Sequence, residues 1–143
     1  MKKTALLLAS LLCVGLLGEA LTLRGSAEPP WQDLKAAGKK NWIGESVYFT
    51  WASSEQPKMG TIILKVQVFT KSGERDKSFI IKGQFDMPSM AGAHDSGLQP
   101  FALNKAGNYL LPLNIVMPGE WELRLTFIKA DKTVFRGRLK FNV

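Results

Sequence analysis

From about residue 45 onward, apolar and polar residues alternate with a period of two, the spacing of strands with one buried face. In TIILKVQVF, 61–69, Leu64, Val66 and Val68 share one side while Lys65 and Gln67 take the other. SFIIKGQFD, 78–86, sets Phe79, Ile81 and Phe85 on one face. NYLLPLNIV, 108–116, alternates Tyr109, Leu111, Leu113 and Ile115 against Pro112 and Asn114. The clearest run is EWELRLTFI, 120–128, with Trp121, Leu123, Leu125 and Phe127 inward and Glu122, Arg124 and Thr126 outward. VFRGRLKFNV, 134–143, buries Phe135, Leu139, Phe141 and Val143 and exposes Arg136, Arg138 and Lys140 as a solvated strand face. A short strand over 46–51 and a less regular one over 98–105, where Pro100 points to a sheet edge, complete the set. KSGERD, KAGN and MPGE separate these runs; Pro118 and Gly119 suit the central positions of a type II turn. No long helical period is present. The pattern predicts an all-β fold, an antiparallel immunoglobulin-like β-sandwich of about seven strands over 45–143.

The N-terminal third reads differently. Lys2 and Lys3 precede an apolar run from Ala5 to Leu17, and Glu19 stops it. That is the pattern of a signal peptide over 1–20, too short for a spanning helix of about 20 residues. Cleavage fits after Ala20, with Ala27 a second candidate and a retained anchor the competing reading. Residues 21–44, with a proline pair and Trp31 and Trp42 among lysines, read as a tether. The protein is therefore expected to be periplasmic or otherwise exported. The single cysteine, Cys13, falls in the cleaved segment, which leaves neither a disulfide framework nor a thiolate site. The net charge of +7 would suit an anionic surface, but export argues against nucleic acid and leaves solubility as the plain explanation.

Export changes how the loop FDMPSMAGAHDSG, 85–97, is read, because any soft metal ligand must then be thioether or imidazole. Met87 and Met90 precede His94, the one histidine of the chain. If successive strands alternate in direction, this loop, the 52–60 loop with Met59 and the turn with Met117 all reach one end of the sandwich. Trp51 and Trp121 are expected there too. Thioether and imidazole together suit Cu(I), whereas a lone histidine supplies a zinc or tetragonal Cu(II) site poorly. The candidate ligands are Met87, Met90, His94 and Met117, with Asp95 placed to orient the imidazole. The plainer reading is that Met87 and Met117 fill core gaps, that His94 is solvated, and that Asp86 and Asp95 serve turn chemistry.

The stretch from Lys58 to Val143 resembles YtkA-like domains, small exported β-sandwiches related to the FixH group and to copper-handling CopC-like proteins. The resemblance is carried by Met87, Pro88, Met90 and His94, then Gly107 and Tyr109, then Gly119 and Trp121. It implies a non-enzymatic exported module in copper supply or metalloenzyme assembly, with an exported or membrane metalloprotein as partner. FixH-type proteins keep a membrane anchor, whereas this leader reads as cleavable. An enzyme is the weakest class, since no pair of acids has a spacing suited to general acid–base work. Two functions stand: a Cu(I)-binding or copper-delivery protein, and a metal-free interaction module of the cell envelope. Oligomeric state and membrane contact stay open.

Overall fold

A computed structural model describes Gly25 and residues 27–143. The signal-peptide reading of 1–20 lies outside the described residues. Ten strands form two sheets: β1 (Trp31–Asp33), β2 (Asn41–Ile43), β3 (Val47–Ser53), β4 (Gly60–Thr70), β5 (Ile80–Asp86), β6 (Gln99–Pro100), β7 (Ala102–Leu103), β8 (Tyr109–Ile115), β9 (Glu120–Lys129) and β10 (Lys132–Asn142). One sheet runs β1-β10-β9-β5-β6 and the other β2-β3-β4-β8-β7. All pairings are antiparallel except β1 on β10. The sandwich expected from the period-two pattern is present. Its inner faces carry the predicted residues, with Val66, Leu125 and Phe127 fully buried between the sheets, although Leu139, Phe141 and Val143 near the C-terminal strand end are only partly buried. Phe127 packs against the Phe49, Phe79 and Phe135 rings.

The three strands beyond the expected seven arise where the chain changes sheets. The predicted 98–105 strand is two: β6 pairs with β5 in one sheet and β7 with β8 in the other. Phe101 between them drives its ring into the core, and its N–H donates to the Ile81 carbonyl at 2.9 Å. Gly83 makes room for it, since a Cβ there would lie 2.6 Å from Leu111 Cδ2 and 3.0 Å from Phe101 Cε2.

The opposite flank corrects the tether reading of 21–44 over its described part, residues 27–44. Residues 31–33 pair in parallel with Arg136–Arg138, and residues 41–43 pair with Val47–Phe49. Leu34 lies over Gly137, where any Cβ would collide with it. The Lys35 N–H donates to Asn41 Oδ1, and its carbonyl accepts from Trp51 Nε1 at 2.7 Å. Trp42 tilts against Tyr48, which stacks on Phe69 across the outer face, with Lys40 over the Tyr48 ring and Arg75 over the Phe69 ring. The segment thus closes the sandwich as Phe101 does on the other side. Its strands are three residues long, too short for a period-two signal to register.

The Arg136, Arg138 and Lys140 stripe is not simply solvated. Each cation has an acidic partner: Glu28 at 2.5 Å, Asp33 at 2.7 Å and Glu120 at 3.1 Å. Arg136 also lies over the Trp31 ring and donates to the Pro29 carbonyl.

Candidate metal centre

The strand registers fix which residues share an end of the sandwich. Gly60 pairs with Ile115, Asp86 with Glu122, and Glu120 with Asn142, while Gly119 and Val143 exchange N–H···O bonds. Met59, Met87, Met90, Met117 and His94 all lie at or beyond these positions, so the four methionines and the histidine share one end. Trp121 is there as well. Trp51 is not: it sits mid-sheet in a row with Val66 and Tyr109. Counting strand directions places loops correctly but says nothing of height within a strand, and Trp51 precedes the end of β3 by two residues.

The loop after β5 is built from Asp86. Its Oδ1 accepts the Met87 N–H at 2.8 Å and its Oδ2 accepts the Gly92 N–H at 3.0 Å. Between these anchors Pro88–Met90 make one 3-10 turn, with the Met90 N–H donating to the Met87 carbonyl. Proline at the first position presets φ and lacks the N–H that would otherwise be orphaned. Ser96 closes the loop on β5: its N–H donates to the Phe85 carbonyl and its hydroxyl accepts the Phe85 N–H, both at 3.0 Å.

Met87 continues β5 in extended geometry and points inward, 3% exposed. Its methyl lies against the turn before β9, where a Cβ on Gly119 would be 2.9 Å from Met87 Cε. Gly119 also holds φ at 133°, open to glycine alone without strain. Trp121, 1% exposed, is the hub of this end. Its Nε1 donates to the Met117 carbonyl at 3.0 Å, the His94 ring lies 6.1 Å from its ring, and Phe85 flanks it at 6.1 Å. Met117 is half-buried against the core. Met87 and His94 therefore pack on the turn before Trp121 and on Trp121 itself, and Met117, whose main-chain carbonyl takes the indole bond, sits on that turn. Met90 and Met59 are 43% and 55% exposed and stand outside that cluster.

One expected contact is absent. Asp95 does not orient His94: both its oxygens accept from Gln84 Nε2 at 2.8 Å, and Oδ1 also takes the Gly97 N–H. The Gln84 bonds, helped by Gly97, hold the Asp95 carboxyl below its ordinary range. The carboxylate is thus committed to the loop's own fold. Asp86 and Asp95 serve the loop's turn chemistry, as the plainer reading expected, whereas Trp121 as the wall on which His94 rests carried no sequence signal. For Asp86 the cue was an aspartate just before Met-Pro, a position where a short carboxylate can cap the next turn.

Among the described residues no group of three His, Cys, Asp or Glu side chains could hold a metal. Soft donors are a different matter. The Met87 thioether and the His94 imidazole near Trp121, with Met117 half-buried on the adjoining turn and Met90 on the open loop, are donors of the kind a monovalent soft cation prefers. Tyr109, expected in the core, is buried, with its hydroxyl donating to the Phe79 carbonyl at 3.0 Å.

No family model matches the chain, and no curated protein matches it in sequence. A solved structure does. FetP of uropathogenic E. coli strain F11, in its "as isolated" form, superposes with a TM-score of 0.51 at 10% identity, over 75% of this chain and 93% of FetP. What the two share is the sandwich.

Proposed function

We propose that this is an exported, non-enzymatic β-sandwich protein that binds and hands on Cu(I) at the Met/His end. The observation that supports the reading is the packing of Met87 against Gly119 and of His94 against Trp121, with Met117 on the turn between those two residues' contacts. Thioethers are neutral at all pH values, so they take up a cation without releasing protons, as thiolates would have to. Met87 and Met117 would supply sulfur from the core side, where the packed walls exclude water. His94 would supply nitrogen from the loop. Met90, in solvent, is the donor a delivery partner could reach first, and the resemblance to YtkA-like domains names an exported or membrane metalloprotein as that partner. FetP, whose structure came from protein expressed in the periplasm, shares the sandwich and agrees with export.

The test is a Cu(I) titration of the reduced protein against a chromophoric chelator, repeated with Met87→Leu, Met90→Leu, His94→Ala and Met117→Leu. Leucine keeps volume and apolarity but removes the donor. Stoichiometric binding that weakens at least tenfold in the His94 and Met87 variants supports the reading. Binding indifferent to all four substitutions refutes it, and no binding leaves a metal-free interaction module.

A further inference from the structure

The flank opposite the metal loop holds a second feature. Between β3 and β10, toward the same end of the sandwich, a cleft of about 370 Å³ opens between the sheets. Its walls are Trp51, Ile62, Leu113, Leu123, Leu139 and Phe141, with the 52–57 loop at its rim and Ala37 at its mouth. Ile62, Leu113 and Leu123 are core residues at most 3% exposed, so the cleft reaches the hydrophobic interior. The volume lies within the range of small-molecule sites, roughly 300–1,000 Å³.

Several polar groups at the edge of this space are already engaged. Trp51 Nε1 donates to the Lys35 carbonyl, and the Ser53 hydroxyl donates to the Glu55 carbonyl at 2.6 Å. The Ser54 hydroxyl accepts the Ile63 N–H at 2.9 Å. Glu55 pairs with Lys58. No Lys or Arg lines the cleft among the described residues. An occupant therefore gains apolar contact within the cleft and finds no cation for an anionic group, with Glu55 at the rim opposing one. Two of the six walls are aromatic rings, which favour offset or edge contacts with another ring.

We propose that this inter-sheet cleft binds a compact, uncharged aromatic molecule of one or two fused rings, independently of any metal.

Naphthalene and its anionic analogue 2-naphthoate probe the proposal on the purified protein carrying labelled methyl groups. Naphthalene should give saturable NMR shifts concentrated on the methyls of Ile62, Leu113, Leu123 and Leu139. Naphthoate should bind at least tenfold more weakly. Ala37→Trp, at an exposed loop position, places an indole over the mouth and should weaken naphthalene binding tenfold or more. Trp42→Ala, on the outer face, should leave it unchanged. Absent or unsaturable shifts would overturn the proposal. So would equal affinity for the two probes, or binding in Ala37→Trp as tight as in the original protein with its methyl spectrum otherwise intact.

Discussion

Replacing Trp121 by phenylalanine tests whether the methionine-rich end is organised by that side chain. The indole is almost fully buried, donates to the Met117 carbonyl and meets the rings of Phe85 and His94. Removing the donor leaves the carbonyl with one partner fewer, at about 1–3 kcal/mol, the lower half applying because Met117 is only half-buried. The smaller ring leaves roughly 40 Å³ unfilled, at about 24 cal/mol per Å³, or about 1 kcal/mol. Together these give a destabilisation of about 2–3 kcal/mol. At roughly 4 °C per kcal/mol for a domain of this size, Tm should fall by about 8–12 °C. Urea unfolding followed by far-UV circular dichroism measures it without relying on the lost fluorophore. Cu(I) affinity should drop about tenfold in the same variant at temperatures where it stays folded, because His94 and Met117 lose their common support. A stability loss under about 0.5 kcal/mol, the scale of an ordinary surface change, would refute the structural role.

Three further outcomes follow from the packing. Gly83→Ala should cost about 1–3 kcal/mol by overpacking against Leu111 and Phe101, and adding Leu111→Ala should recover part of that in a double-mutant cycle read by urea denaturation. Ala130→Gly should stabilise by roughly 0.5–1 kcal/mol, since Ala130 and Asp131 hold φ at 48° and 60° in the β9–β10 hairpin, a region alanine occupies with strain; thermal melts decide it. Burial tends to raise the Asp76 carboxyl, but bonds from the Ser78 hydroxyl and N–H and from Lys129 outweigh it and hold the pKa below its ordinary value. The stability Asp76 supplies is therefore complete above about pH 4 and lost as pH falls through the depressed value. Asp76→Asn should accordingly be less stable at pH 7, with the gap narrowing toward pH 2 in denaturation curves.

Much of the sandwich was legible because its long strands are half-buried, and β4, β5, β8, β9 and β10 each repeat the inward–outward alternation several times. The sheet-switching segments were not legible. β1, β2, β6 and β7 are two or three residues long, and what fixes them is tertiary: Leu34 seated on Gly137, Phe101 seated beside Gly83, Arg136 stacked on Trp31. That is why residues 27–44 read as a tether and proved to be a wall of the fold. At the methionine-rich end, counting strand directions was enough to gather Met59, Met87, Met90, Met117 and His94, since a loop's end of the sheet depends only on strand order. Which of them face one another depends on side-chain packing. Gly119 admits the Met87 methyl and Trp121 supports His94, whereas Asp95 turns to Gln84, a partner eleven residues back that no local spacing signals.

X-ray absorption at the copper edge of the Cu(I)-loaded protein examines the ligand set itself. The arrangement around Trp121 calls for a first shell with more than one sulfur and a single imidazole nitrogen, the sulfur signal diminishing in Met87→Leu and in Met117→Leu. A shell of oxygen and nitrogen alone, or a sulfur signal untouched by both substitutions, would contradict a thioether–imidazole site at this end of the sandwich.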